Sequence, residues 1–309
     1  MSRIGLGLVG VGKIARDQHL PAIADNPDLQ LLAVANRSPA QVHVPCHGSL
    51  EALLDAEPDV AAVSVATPPV GRYAIARTAI ERGRHLMLEK PPGATVSEVE
   101  DLIGRATDAG VTLFLTWHAR EAAGVEAARA WLADKTVRRV EVIWKEDVRR
   151  WHPGQQWIWE PGGLGVFDPG VNALSVVTAV LTEPMVLQES ALDFPANRAA
   201  PIAADLRFAT PSGAEVAAAF DWRQTGPQTW DVRVETDGGS LRLIEGGARL
   251  FIDDAEQATG DDRGEYLRLY ARFVELIRAG RSDADLAPFR HVADAFMLGR
   301  RREVEPVED

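Results

Sequence analysis

Cysteine is almost absent: among 309 residues it occurs once, at Cys46. One cysteine closes no internal disulfide and builds no cysteine zinc cage. No activating motif surrounds it, so it is expected to be inert. No apolar run is long enough to span a bilayer, so no membrane partner is expected. The opening Met1-Ser2-Arg3 leads straight into an apolar strand, so no signal peptide is expected. A lone reduced thiol and no leader suit the cytoplasm. Basic charge is in deficit too. The 33 Lys and Arg face 45 Asp and Glu, a net charge of -12. That balance argues against nucleic acid and against an anionic membrane surface. Internal repeats, low-complexity linkers and clusters of metal ligands are missing, and no metal is expected.

What remains is an ordinary globular composition, 46% hydrophobic and 25% charged, with a length that fits two domains. The first 118 residues alternate apolar strands (4–9, 31–35, 61–66, 85–88, 112–116) with helical stretches (50–56, 72–82, 96–109). That alternation predicts a parallel sheet covered on both faces. After Trp117 the pattern changes. A helix over 122–133 leads to a strand carrying Val140, Val142 and Trp144. A Trp-, Gly- and Pro-rich loop spans 151–165, and a helix spans 169–181. Alternating strands follow, including 215–222, 230–236, 240–244 and 248–252, with Asp237-Gly238-Gly239 and Gly246-Gly247 as hairpin turns. They predict an antiparallel sheet. Tyr266, Leu269, Tyr270, Phe273 and Ile277 mark an amphipathic helix closed by Gly280. A last helix covers about 289–300, and the acidic end 303–309 is expected to fray. Two domains are therefore expected, 1–118 and 119–309.

Gly10-Val11-Gly12-Lys13-Ile14-Ala15 joins the first strand to a helix-compatible stretch. In that context a glycine pattern predicts dinucleotide binding. Gly10 permits the tight turn, Gly12 lets the backbone approach a pyrophosphate, and Ala15 lets helix and strand pack closely. Gly12, Lys13 and Ile14 would then present backbone N–H groups to the phosphates. The second strand ends in Asn36-Arg37-Ser38 with no carboxylate. Arg37 can pair with a 2′-phosphate, and Asn36 and Ser38 can donate to it. NADP is therefore expected in preference to NAD, against the plainer reading of Arg37 as a solvated charge. Thr67-Pro68 and Glu89-Lys90-Pro91 end two further strands, where open α/β sheets hold their ligands. Thr67 and Pro68 either line the cofactor or form a turn. Lys90 either reaches a substrate oxygen or lies at the surface.

Glu146 falls on the apolar face of its strand and needs a partner or a ligand: a sugar hydroxyl, or, in the plainer readings, a salt bridge to an arginine or the role of an inward charge protecting an edge. Four of the eight tryptophans lie between Trp144 and Trp159, beside Arg149, Arg150, His152, Gln155 and Gln156. Flat rings with polar neighbours suit a pyranose, although clustered aromatics also build plain cores. Asp168 and Asn172 share one helix face. Asp168 before Pro169 also has the form of an N-cap with proline at the first helical position. His118 ends the fifth strand, either facing a cleft or serving structure.

These motifs resemble the glucose-fructose oxidoreductase/inositol dehydrogenase family. The block from Lys145 to Trp157, and the run on to Asn172, is similar to its aldose 1-dehydrogenases that act on L-arabinose and D-galactose. The resemblance extends over nearly the whole chain. It implies a Rossmann domain followed by an α/β domain with an open, mainly antiparallel sheet, often used for oligomerisation, and a homo-oligomer such as a dimer is expected. It implies oxidation of an aldopyranose (L-arabinose, D-galactose or D-fucose) at its anomeric carbon to the aldonolactone. Lys90 and Asp168 match the catalytic pair. His118, Glu146, Trp151, His152, Asp168, Asn172 and Trp230 match residues around the sugar, and Asn36 and Arg37 match the NADP phosphate site. The wider family carries a histidine base four residues after the aspartate, where this chain has Asn172. Competing readings are a cofactor-binding sensor without turnover and a sugar-carbonyl reductase.

Overall fold

The computed structural model describes residues 2–260 and 263–308. The chain divides into two compact units, Met1–Trp117 with Arg263–Asp285 and His118–Asp262 with Leu286–Asp309. In the first unit, β1 (Ile4–Val9), β2 (Leu29–Ala35), β3 (Cys46–His47), β4 (Ala62–Val65), β5 (His85–Glu89) and β6 (Leu113–Thr116) form a parallel sheet. Its order is β3-β2-β1-β4-β5-β6, so the topological switch lies between β1 and β4. Leu6, Leu8, Val34, Val63 and Leu86 are fully buried, as strands covered on both faces require. The connecting helices are α1 (Leu20–Ala24), α2 (Leu50–Ala56), α3 (Arg72–Glu81) and α4 (Val96–Asp108). Ser49 caps α2, and Thr95 with Glu98 forms a capping box at α4.

The second unit opens with α5 (Val125–Leu132) and β7 (Val137–Lys145), followed by α6 (Val148–Trp151) and α7 (Phe167–Val180). The strands β8 (Val186–Pro195), β9 (Ala203–Ala209), β10 (Glu215–Asp221), β11 (Thr229–Thr236), β12 (Gly239–Ile244), β13 (Arg249–Ile252), β14 (Ala255–Gln257) and β15 (Arg300–Val304) complete its sheet. The order is β14-β13-β12-β11-β7-β10-β9-β8-β15. Most pairs are antiparallel, but β7 with β10 and β8 with β15 run parallel. The sheet is thus mixed, mainly antiparallel. The last strand corrects the expected frayed end. Arg300–Val304 joins the sheet, Arg302 Nε bonds Asp193 Oδ1 at 2.6 Å, and Asn197 bonds the Val307 backbone at 2.9 and 3.1 Å.

Two last helices belong to different units. α9 (Ala287–Leu298) packs with α7 and β8 on the second sheet. α8 (Glu265–Ala279) ends at Gly280 as expected but lies in the first unit, although the sequence division at 118 places it in the second. Its Tyr266, Leu269, Tyr270, Phe273 and Leu276 bury against Leu6, Leu29, Met87 and Phe114. Each such side chain contributes about 1.5–3 kcal/mol relative to exposure. Periodicity reveals an apolar stripe but does not say which sheet it covers. Among the described residues, no helix is long and apolar enough to cross a membrane.

Candidate active site

In the first unit, β1 runs into Gly10, whose φ is +90°, a conformation open to glycine. A Cβ there would meet the Ala66 carbonyl carbon and Thr67 N at 3.0 Å. A Cβ on Gly12 would meet nothing within 4 Å, so the loop borders open space. Thr67 Oγ1, at the end of β4, is buried with no hydrogen-bond partner among the described residues. A tight turn, an open approach and an orphaned hydroxyl at one switch point fit a bound dinucleotide. Asn36 is committed elsewhere. Its Oδ1 accepts from Val11 N at 3.1 Å and its Nδ2 donates to Ser38 O at 2.8 Å, so its amide shapes the loop. Arg37 and Ser38 are exposed beyond it, and Lys13 pairs with Asp17 along the helix.

That helix opens irregularly. Ala15–His19 is a π-helical turn, closed by Leu20 N–H to Ala15 O. It leaves His19 fully buried, with Nδ1 2.7 Å from Tyr270 Oη and Nε2 3.3 Å from Glu89 Oε1. Tyr266 Oη also donates to Glu89 Oε1, and Tyr270 Oη bonds Ser64 Oγ at 3.1 Å. Burial, and then the Glu89 charge, pushes the Tyr266 phenol well above its usual range. Burial does the same to Tyr270. Both phenols therefore stay protonated as donors. Glu89 Oε2 accepts from Lys90 N at 2.5 Å, and the Lys90–Pro91 peptide is cis. Buried Arg72 donates to the carbonyls of Thr67, Glu89 and Pro91, tying the ends of β4 and β5 together. Glu89, expected at the cofactor, is thus 4% exposed and used inside the unit. Arg72 and His19 escaped the sequence reading because neither belongs to a motif.

The second unit gathers most of the remaining candidates. Glu146 directly follows β7 and is 6% exposed. Its Oε1 accepts from Trp222 Nε1 at 3.3 Å and its Oε2 from Trp230 Nε1 at 2.9 Å. Its partners thus include two indoles. His152 follows α6, with Nε2 3.4 Å from Asp168 Oδ2 and 4.0 Å from Glu146 Oε1. Its ring lies 5.2 Å from Trp222. Asp168 is 3% exposed and sits inside α7, whose N-cap is Val166 without a side-chain cap bond. The capping reading of Asp168 is therefore set aside. The glycine loop before α7 is held by packing: a Cβ on Gly163 would lie 2.2 Å from Trp157 O. Asn172, one turn along α7, keeps a buried Oδ1 with no hydrogen-bond partner among the described residues. Trp151 is 38% exposed, bonds Gln228 Oε1 through Nε1 at 3.3 Å, and lies 5.6 Å from the Trp230 ring. His118 starts a half-buried 3-10 turn, which Arg120 ties to α7 through Ser175 O. Trp222 had no signal of its own. It stands just past β10, where its register beside Glu146 becomes visible only through the pairing of β10 with β7.

Comparison with known proteins agrees with the fold. Residues 4–116 match the model of the oxidoreductase family with an NAD-binding Rossmann fold. The chain is 43% identical over 310 residues to galactose 1-dehydrogenase of Pseudomonas fluorescens, covering 100% of each. It superposes on the crystal structure of D-galactose-1-dehydrogenase from Rhizobium etli with a TM-score of 0.94 at 54% identity, covering 100% of this chain and 99% of that one. KijD10, a 3-ketoreductase from Actinomadura kijaniata solved with NADP and TDP-benzene, shares the fold at 17% identity and a TM-score of 0.85, over 98% of this chain and 100% of its own.

Proposed function

The chain belongs to the glucose-fructose oxidoreductase/inositol dehydrogenase family of oxidoreductases, and from there we propose that it oxidises an aldopyranose at the anomeric carbon to the aldonolactone. The observation that carries this reading is the Glu146–His152–Asp168 cluster walled by Trp222 and Trp230. Carboxylates and an imidazole supply acceptors for ring hydroxyls, and indole faces supply apolar surface for the C–H side of a pyranose. Likeness to two galactose dehydrogenases supports D-galactose as substrate, with L-arabinose and D-fucose sharing its arrangement at the reacting end.

Gly10, Gly12, Lys13, Ile14, Thr67 and Pro68 would hold the dinucleotide, and Arg37 with Ser38 would select its 2′-phosphate, so NADP is favoured over NAD. When bound, the nicotinamide supplies the acceptor for the hydride that leaves the anomeric carbon. Lys90 stabilises the negative charge developing on the anomeric oxygen. Asp168 orients that hydroxyl and takes part in removing its proton. Glu146, His152 and Asn172 read the ring hydroxyls, while Trp151, Trp230 and His118 shape the pocket around the sugar. A second copy of the chain covers the face of the large sheet that carries Ile143, Ala191, Ala217 and Ala219, giving a homodimer that sedimentation would reveal.

The test is the absorbance of reduced nicotinamide with NADP or NAD and a panel of sugars. Rapid reduction with D-galactose, L-arabinose and D-fucose, and little with D-glucose, is expected. Binding of NADP with no reduction by any sugar would replace this reading with a sensor.

A further inference from the structure

Oxidation at a hemiacetal carbon releases a proton as well as a hydride, and a proton taken by a buried group must reach solvent. Asp168 is suited to receive it but is 3% exposed. Its helix offers no titrating partner on that face, since Asn172 stands one turn away and amides do not take protons near neutral pH. His152 comes from a different element. Its Nε2 lies 3.4 Å from Asp168 Oδ2, and its side chain keeps 14% exposure against 4% for that of Asp168. The groups facing the ring include Asp168 from α7, Glu146 after β7, Trp222 after β10, and Gln155, whose Oε1 is 3.4 Å from Nδ1. Neighbouring Arg149 is paired with Asp147. Two carboxylates therefore stand at the edge of an imidazole that is the more exposed end of the pair. Each favours the imidazolium that forms when the ring takes a proton.

We propose that His152 is the proton relay of this site: Asp168 takes the proton from the anomeric hydroxyl, and His152 draws it from Asp168 toward solvent with Glu146 stabilising the charged ring. The proposal rests on the aldose-oxidation reading above. The O1–H bond breaks and its electron pair forms the C1=O bond. The C1–H pair leaves as hydride to the oxidised nicotinamide, and the proton ends on Nε2 of His152. A merely sugar-holding His152 would instead act through binding.

The experiment measures kcat and KM for D-galactose with NADP between about pH 5 and 8. It compares wild type with His152→Gln, His152→Ala and Glu146→Gln. Quenching of tryptophan fluorescence by NADP checks that each variant is folded. Wild-type kcat is expected to fall on the acid side, as the relay becomes occupied. His152→Gln is expected to lower kcat about 100-fold and to abolish that acid limb, with a much smaller change in KM. Added imidazole is expected to restore part of the rate to His152→Ala. Glu146→Gln, which removes one charge from the ring's edge, is expected to move the acid limb down by about one pH unit. A folded His152→Gln that keeps kcat and its acid limb while KM rises would overturn the relay and leave aldose oxidation standing. A folded Glu146→Gln with an unmoved limb would overturn it as well. A wild-type protein that oxidises no aldose would overturn both.

Discussion

His19 beside Glu89 and His152 beside Glu146 are similar pairs in two different settings. In the first unit His19 and Glu89 have side-chain exposures of 0% and 4%, and Tyr266 and Tyr270 complete the shell. In the second, His152 meets Glu146 and Asp168 with 14% exposure, and the shell is made of indoles. Phenols beside His19 offer hydroxyls that close the network on itself. Indoles beside Glu146 donate one hydrogen bond each and otherwise present flat apolar surface. The first cluster is satisfied internally, so it holds structure in place. The second keeps 14% exposure at His152 and is flanked by indoles, so it is the more accessible of the two. Residue type alone would not separate them; enclosure and the chemistry of the shell do.

The comparison predicts that loss of Glu89 acts on folding, whereas loss of Asp168 acts on rate. Glu89→Ala leaves His19 and Tyr266 buried without their shared acceptor. It is expected to cost about 3–5 kcal/mol, read from urea unfolding. A cost under about 1 kcal/mol would mean that the first cluster is not structural. Asp168→Ala and Lys90→Ala are each expected to lower turnover at least about 100-fold, roughly 2.7 kcal/mol of barrier, with NADP binding retained. Near-normal turnover in either would dissolve the proposed pair. Arg37→Ala tests the cofactor rather than either cluster. About a tenfold rise in KM for NADP with little change for NAD is expected, and an equal change for both would remove Arg37 from phosphate selection.

The smallest expected effect concerns His85, the first residue of β5. His85 Nδ1 accepts from Thr112 N at 3.0 Å, and burial holds its pKa below the ordinary histidine value. Since the folded value is the lower one, the unfolded chain binds the proton first. Stability therefore falls as pH drops below about 6.5 toward the folded value. His85→Asn offers an acceptor that does not titrate. Urea midpoints at about pH 7.5 and 5.5 should differ less in that variant than in wild type. An unchanged difference would assign the slope to other groups.

The parallel sheet was legible because its strands are apolar runs. The helix Leu50–Ala56 and the strand Ile4–Val9 fall where patterning places them. β15 was not legible, since Arg300–Val304 carries three arginines and a glutamate. Charge is what an edge strand carries to discourage further pairing, and it hides the strand from a search for apolar alternation. At the site, Glu146 drew attention as a carboxylate on an apolar face, and the tryptophan block located His152. Asp168 was ambiguous because one residue pattern serves both a cap and a buried acid. Trp222 and the closeness of His152 to Asp168 depend on contacts between β7, α6, α7 and β10, which no local spacing encodes.

The late return of α8 has a consequence for synthesis. The chain leaves the first unit at Trp117 and re-enters it only at Arg263. Until then, Leu6, Met87 and Phe114 lack the helix that covers them, and Glu89 and His19 lack both tyrosines. A nascent chain emerging from the ribosome therefore carries an unfinished first unit through the synthesis of β7 to β14. The first unit to begin is completed only at Asp285, and a fragment cut at residue 117 would present that apolar face to water.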